Sequence, residues 1–441
     1  MDSRELTFKG GVHMHDFKEL TNKYSIETGP NVETVTIALH QHTGAPCEPL
    51  VKIGDEVKVG QKIGDADATI TAPVHSSVSG VVKQIVEITT VSGVKTKAIV
   101  IESDGKNEIG YEPYNDDYTK LEPKEIVRRV REAGIVGLGG AGFPTHVKIN
   151  KNPKDTINHV LVNGAECEPY LTGDQVTMEE YPEKVVIGLD IVMKAMGAPN
   201  GYIGIENNKP EAIKRVSEEA KKLSGIKVSV LKTKYPQGDQ RRLIDSILGM
   251  KMPSSLRSTE EGVQVINSST AAAIYDAVIL GKPLYEKVVT VTGSAIANPK
   301  NLLVKVGTSL KEVLEYCGGF KEEPGKIIIG GPMMGEAQFT IDSPTLKANG
   351  GIIVMNKEEA KPPVITACIK CGKCVDVCPV YLMPLYLQQN VLNNRFEEAE
   401  KLNIMDCIEC GSCSYVCPSK RPLVEAIRHG KRELRAASTK K

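Results

Sequence analysis

Residues 137–148 read GLGGAGFPTHVK, and the role of these glycines decides what the centre of the chain is. By letter, Gly137, Gly139 and Gly142 make G-x-G-x-x-G, the pattern in which a strand turns into a helix and bare backbone approaches a dinucleotide pyrophosphate. The setting differs. PKEIVRRVREAG (123–134) comes first, with Ile126, Val127, Val130 and Ala133 at helical spacing. Pro123 suits a first helical turn and Gly134 the position just past the last. Only Ile135 and Val136 separate that helix from the glycines. Pro144, two residues past Gly142, can open a short helix but cannot lie inside one already running. A helix leads in where a strand should, so the loop is either a plain turn or a cradle of another kind.

The next segment favours a ligand. HVLVNGAECEP (159–169) is a short apolar strand ending in Asn163, Gly164, Glu166 and Glu168, polar groups well placed at a crevice off a strand end. From there to residue 285 strand-like runs such as YIGIEN, KVSVLK and GVQVIN alternate with helical runs such as PEAIKRVSEEAKKLSG and TAAAIYDAVIL. That alternation predicts an α/β layer domain with a largely parallel sheet. Ser268, Ser269 and Thr270 can cap the helix after GVQVIN and offer N–H groups to a phosphate. Lys209, in IENNKPEAI, is either a nucleotide contact at a strand end or a solvated lysine at a helix start.

The chain has 441 residues and 11 cysteines, eight of them in two tight groups near the C-terminus, which fits a reducing cytoplasm. CIKCGKCVDVCP (368–379) and CIECGSCSYVCP (407–418) each spell C-x2-C-x2-C-x3-C-P, the run of bacterial two-cluster ferredoxins. In that arrangement the fourth cysteine of each run serves the other cluster. Cys368, Cys371, Cys374 and Cys417 are expected on one [4Fe–4S] cluster, and Cys407, Cys410, Cys413 and Cys378 on the other. Gly372, Gly411 and Ser412 let backbone N–H groups approach the sulfurs. Four thiolates would also satisfy zinc, and iron and labile-sulfide content separates the two. MPLYLQQNVLNNRFEEAEKL, between the arrays, reads as one or two helices, and KPPV (361–364) is the linker into the module.

Acidic and basic residues balance at 55 each, which argues against a general nucleic-acid binder. MDSRELTFKGG lacks the apolar core of a leader, and no run approaches the roughly 18 apolar residues that span a bilayer. The basic close, RHGKRELRAASTKK, is either a solvated tail or a docking segment for an acidic partner or membrane surface. EPLVKIGDEVKVGQKIGDADATITAPVHSSVSGVV (48–82) resembles half of a lipoyl or biotinyl carrier barrel. Carriers of that kind present a modified lysine on a hairpin; here DADATIT holds none, so the barrel is expected as scaffold. His40, His42 and Cys47, in HQHTGAPC, are either metal ligands sharing a strand face or ordinary loop residues. Cys47, Cys167 and Cys317 read as small buried or semi-buried residues. Residues 287–356 alternate short strands with one helix, at whose start Ser309 and Glu312 can form a capping box.

GLGGAGFPTHVK followed by VNGAECEP resembles the NADH-binding flavoprotein subunit of respiratory complex I. The resemblance implies FMN contacts from Gly137, Gly139, Gly140, Gly142, Lys148, Asn163 and Glu166, and nicotinamide-nucleotide contacts from Phe143 and Glu168. KYPQGDQRRLI resembles that family's Tyr-x-x-Gly-Glu-Glu stretch and adds Tyr235 and Gly238, while VQVINSSTAAAI adds Asn267 and Ser268 to the flavin pocket. Lys209 joins the nucleotide set by its place at a strand end and not by the resemblance. Two departures stand out: Ala165 where the family often has an acid, and Asp239–Gln240 where it has two glutamates. Residues 287–356 look like the β-grasp module that follows the flavin domain in that family, and are expected as a spacer.

The whole order, from FKGGVH and the carrier-like barrel to the paired arrays, resembles the RnfC family of the Rnf electron-transport complexes, which are ion-translocating ferredoxin:NAD oxidoreductases. This implies a multidomain α/β chain divided at 1–118, 119–286, 287–356, 362–430 and 431–441. It implies FMN, two [4Fe–4S] clusters and NAD(H) as substrate. It implies a peripheral subunit on the cytoplasmic face of the membrane with no transmembrane segment of its own, beside membrane-embedded and ferredoxin-accepting subunits and serving ferredoxin indirectly. The chemistry is coherent, because nicotinamide exchanges electrons in pairs, clusters carry them singly, and flavin divides them, with no side chain needed as acid or base. The alternatives are a cobalamin reductase of diol-utilisation type and a non-catalytic cluster-bearing adaptor.

Overall fold

The computed structural model describes residues 6–439; residues 1–5 of the stretch read for a leader and residues 440–441 of the basic close lie outside it. The centre is an α/β domain built on helices α1 (Pro123–Glu132), α2 (Thr145–Ile149), α3 (Gly173–Glu180), α4 (Pro182–Met196), α5 (Pro210–Ala220), α6 (Gln240–Leu248) and α7 (Ser268–Ile279). Its four strands are all parallel and stand in the order Ile226–Leu231, Asn200–Glu206, His159–Gly164, Val263–Asn267. The chain therefore steps outward on one side of His159–Gly164 and then returns to the other side. The reversal falls between His159–Gly164 and Val263–Asn267, where an open α/β sheet splays its carboxyl ends and binds ligands. Alternation along the strands fills both faces. Val160 and Val162 pack with Leu189, Val192 and Ile274 on one face, and Leu161 packs with Leu231, Leu243 and Val265 on the other.

The N-terminal barrel is complete where the carrier resemblance covers only half. Strands Thr34–Ala38, Lys95–Ser103, Gly80–Thr89 and Glu56–Val57 form one sheet, and Glu48–Pro49, Lys62–Asp65 and Val74–His75 form another. Val35, Ile37, Ile63, Val74, Val82, Ile99 and Ile101 fill the space between them. The hairpin connection at 66–73 is docked at two points. Ile70 O accepts from Ala45 N at 2.9 Å, and Pro73 O accepts from Lys347 Nζ at 2.7 Å. Within the N-terminal region 1–118, residues 6–28 run outside the strands of the barrel. Leu6 bridges Leu231, Val12 bridges Tyr235, and Ile26–Thr28 pairs in parallel with Lys300–Lys305. They form a strap across the other modules, with no periodicity of its own to announce it.

That pairing makes a six-stranded sheet in the order Ile26–Thr28, Lys300–Lys305, Glu286–Thr292, Gly351–Asn356, Pro324–Ile329, Glu336–Gln338. Helix α8 (Leu310–Tyr316) lies on it, opened by the Ser309–Glu312 capping box. The cysteine module holds α9 (Lys373–Asp376), α10 (Pro384–Leu392), α11 (Phe396–Lys401), α12 (Ser412–Tyr415) and α13 (Leu423–Thr439). It is an internal repeat. Lys370 and Glu409, Gly372 and Gly411, and Tyr381 and Lys420 occupy matching places in the two runs, and all six have positive φ. The basic close is not a tail as far as Thr439 but part of α13. Ala426 and Ile427 pack on Leu387, Val391 and Ile404, and Lys431 Nζ donates to Cys407 O at 2.7 Å. Among the described residues no helix is long and apolar enough to cross a membrane.

Candidate functional site

The glycine loop is a hairpin laid over the point where the strand order reverses. Gly137 N donates to Phe143 O at 2.9 Å and Thr145 N to Ile135 O at 3.0 Å, which closes its base, and α2 then starts directly after Pro144. Leu138 N donates to Thr270 Oγ1 in the first turn of α7 at 2.9 Å. Gly139 lies so close to Asn267 that an added Cβ would stand 2.7 Å from Asn267 Nδ2, whereas Gly140 faces open space. Thr43 of the barrel donates to Ala141 O at 2.9 Å and so holds the outer side of the loop. Asn267 is opposite Asn163 in register, so the two asparagines end adjacent strands beneath the glycines.

Asn267 itself, and not Ser268 to Thr270, caps α7. Its Oδ1 accepts from Thr270 N at 3.1 Å, while its Nδ2 donates to Asp174 Oδ2 at 2.6 Å. Ser268 Oγ, fully buried at this helix start, has no hydrogen-bond partner within the protein. Glu166 accepts from Asp174 N at 2.7 Å and Gln175 N at 3.1 Å at the start of α3, and burial pushes its carboxyl up. Asp174 thus joins Glu166 to Asn267. Sequence reasoning missed it, because no motif marks an aspartate inside TGDQ. Asn163 Nδ2 donates to Gly238 O at 2.8 Å, and Ala165 N donates to Asn163 Oδ1 at 3.1 Å. Bare backbone, an unpaired hydroxyl and a helix N-terminus converge here, a set of groups that fits a flavin mononucleotide.

Lys209 is neither an open nucleotide contact nor a solvated lysine. Its Nζ donates to Ala165 O at 2.6 Å and Asn208 Oδ1 at 2.9 Å and pairs with Glu206 at 3.2 Å, and the two paired side chains are 0% and 1% exposed. It braces the loop after Asn163. Removing one partner of such a pair leaves the other charge buried and alone. Lys209→Met is therefore expected to destabilise the domain by about 3–5 kcal/mol, read from the midpoint of chemical denaturation.

Glu168 is half-buried against the six-stranded module. Met333 N donates to its Oε2 at 3.1 Å, and burial raises its carboxyl to about 7. Tyr235 does not open onto a flavin-sized space. It is 2% exposed, and its hydroxyl donates to Cys410 O at 2.8 Å. Asp239, one of the two departures, accepts from Arg242 N at 3.2 Å and caps α6.

A cleft of about 860 Å³ runs between the central domain and the cysteine module. Of the residues expected from sequence, Phe143, Lys148 and Cys407 line it, together with the bases Lys151, Arg241, Arg242, Lys251 and Arg257 and the acids Asp155, Asp239, Asp245 and Asp406; Tyr381 and Ile408 form the opposite wall. Lys148 Nζ also donates to Val265 O at 3.1 Å, and burial lowers its pKa. Cleft and strand-reversal point adjoin through Phe143, the residue that closes the loop. The five arginines and lysines beyond Lys148 were not found from sequence, since basic residues on a helix and in loops look like a solvated face.

The cysteines fall into two sets. Cys378, Cys407, Cys410 and Cys413 line one small enclosed pocket. Burial pushes the Cys413 thiol up, and neighbouring Cys410, Cys407 and Cys378 push the same way. Leu382 N donates to Cys378 Sγ at 3.3 Å and Glu409 N to Cys407 Sγ at 3.4 Å. At the other end Cys417 and Cys368 are the neighbours of Cys374, and Cys368 and Cys371 are exposed. The inner set takes three cysteines from the second run and one from the first, and Cys417 of the second run stands by Cys374 of the first, which fits paired cubane clusters. Among the described residues no three His, Cys, Asp or Glu side chains make a single-ion site. His40 Nε2 bonds Gly44 O at 3.2 Å, and His42 Nε2 accepts from Ala72 N at 3.1 Å, so both rings brace their loop.

Family comparisons match four segments. Residues 6–106 match the RnfC barrel sandwich hybrid domain, 130–276 the Nuo51 FMN-binding domain, 288–337 the SLBB domain and 367–420 the 4Fe-4S dicluster domain. The chain is 45% identical over 443 residues to the C component of the Na(+)-translocating ferredoxin:NAD(+) oxidoreductase complex of Acetobacterium woodii, covering 100% of both. It is also 45% identical to the C component of the proton-translocating ferredoxin:NAD(+) oxidoreductase complex of Clostridium ljungdahlii, covering 98% of this chain and 94% of that one. Among solved structures, an NAD+-reducing [NiFe]-hydrogenase in the H2-reduced state shares the fold at TM-score 0.53 and 18% identity, over 71% of this chain and 63% of that one.

Proposed function

The chain belongs to the RnfC family, a component of the Rnf-type ion-translocating ferredoxin:NAD(+) oxidoreductase complexes, and on that premise we propose that it exchanges hydride between NAD(H) and FMN and passes single electrons through two [4Fe–4S] clusters. One observation carries the proposal. A glycine hairpin lies on the reversal point of a parallel sheet, and a cleft carrying several arginines and lysines runs from it to the cysteine module. Bound FMN supplies the step from electron pairs to single electrons.

Gly137, Gly139, Gly140 and Gly142 bring backbone to the flavin, with Asn163, Asn267 and Ser268 beneath it and Glu166 fixing the α3 terminus alongside. Lys148 and Gly238 border the same space. Phe143 and Glu168 orient the nicotinamide. Arg241, Arg242, Lys251 and Arg257 offer charge to the dinucleotide phosphates across the cleft. Cys407, Cys410, Cys413 and Cys378 hold the inner cluster, and Cys368, Cys371, Cys374 and Cys417 the outer one, whose exposure suits exchange with another subunit. The protein sits on the cytoplasmic face beside membrane-embedded and ferredoxin-accepting subunits.

Glu168→Gln tests the nucleotide side. NADH-driven dye reduction is expected to fall about tenfold, the worth of one charge-assisted hydrogen bond, while iron content persists. Unchanged kinetics would remove Glu168 from the site. A second readout follows from burial. Because the folded carboxyl titrates near 7, above its ordinary value of 4.5, the folded state keeps a proton that the unfolded chain has already released. This residue therefore costs stability increasingly as pH rises from about 4.5 to 7. Gln cannot ionise, so the variant should melt higher than the parent at pH 8, and the gap should close near pH 5.

A further inference from the structure

Tyr235 is aligned by resemblance with flavin contacts, yet its surroundings belong to the cysteine module. Its main chain pairs with the N-terminal strap: Val12 N donates to Tyr235 O at 2.8 Å, and Tyr235 N donates to Val12 O at 2.9 Å. One residue earlier, Gly11 N donates to Val377 O at 2.8 Å, next to Cys378. The ring packs with Val12 and Cys410, against Met333, Cys167 and Val377. The phenol is thus held at both ends, its backbone by the strap and its hydroxyl by the carbonyl of Cys410 at 2.8 Å. On the nucleotide side Glu168 Oε1 is 3.4 Å from the same hydroxyl. Strap, central domain, six-stranded module and cysteine module all meet at this side chain.

We propose that Tyr235 is a positioning residue for the inner cluster and not a flavin ligand. It fixes the Cys410 loop against the central domain and aims an O–H dipole at the peptide of a cluster ligand. The inference rests on the assignment of Cys407, Cys410, Cys413 and Cys378 to one cluster. Donors directed at a cluster's surroundings favour its reduced, more negative form, and hydrogen bonding is one of the main levers on cluster potential. The matching residue of the other run, Cys371, is exposed, so the outer cluster serves as an internal control.

The test is Tyr235→Phe in the full chain with reconstituted clusters and FMN, poised with dithionite and redox dyes and followed by electron paramagnetic resonance. No NADH enters the measurement. Iron and flavin content should stay at parental levels. One cluster's reduction equilibrium should move about fivefold toward the oxidised form, the worth of one typical hydrogen bond, while the other stays put. A 3-fluorotyrosine at 235, a stronger donor, should move the same cluster the opposite way, and it keeps the role testable if the Phe variant folds poorly. Two unchanged clusters would overturn the role, as would loss of FMN with both clusters unshifted. A parent chain without iron would instead overturn the cluster assignment beneath it.

Discussion

Changing Cys417 to serine is expected to remove about four of about eight iron atoms per chain and to leave a protein that folds. Changing Cys378 to serine should remove the other four or so and lower the melting temperature as well. The contrast comes from burial. Cys368 and Cys371, partners of Cys417, are exposed on a stretch without helix or strand, so losing their cluster unpins little else. Cys378 is buried with Leu382, Leu387, Val391 and Ile427 in the core of its module, and its set shares an enclosed pocket. The pairing itself is exposed by spectra. Cys378→Ser and Cys410→Ser should silence the same signal, and Cys378→Ser and Cys371→Ser different ones. If Cys378 and Cys371 silenced the same signal, each run would be holding its own cluster, and the crossed assignment would be abandoned.

The cysteine runs were legible because a metal cluster imposes covalent spacing on the chain, and spacing is what a sequence displays. The parallel sheet was legible for a related reason: apolar runs bounded by helical ones leave few other topologies. Less was visible wherever a side chain answers to something distant in sequence. Lys209 stands at a strand end like a ligand contact, but its partners are Glu206 and the carbonyl of Ala165. Tyr235 sits in a nucleotide-type motif, but its hydroxyl ends on Cys410, in another module. The strap over residues 6–28 has too few apolar residues to show a period, because its contacts are mostly main-chain pairs or single side chains. The basic close was read by charge, while Leu423, Val424 and Ile427, which make its first turns core, lie before the charges begin. Family comparison supplies the domain types, and only the folded chain brings these particular side chains together.

Gly139→Ala is expected to weaken FMN binding by about five- to 150-fold, the equivalent of the roughly 1–3 kcal/mol that overpacking commonly costs. The added methyl would stand 2.7 Å from Asn267 Nδ2 and 2.9 Å from its Cγ, well inside contact distance. Asn267 has little room to yield, since its Nδ2 is held by Asp174 and its Oδ1 caps α7. The loop must then lift from the strand ends, and the backbone that would meet the flavin moves with it. Gly140 provides the comparison, because a methyl there meets no protein atom within 4 Å. Gly140→Ala should melt like the parent when FMN is absent. If it too loses flavin, as measured by fluorescence titration, the cause is contact with the ligand itself, and the flavin lies on that face. If Gly140→Ala binds FMN normally while Gly139→Ala does not, the flavin lies on the Asn267 side of the loop and the Gly140 backbone only closes the turn. If both bind normally, the hairpin is a turn and nothing more, and FMN must be sought along the cleft.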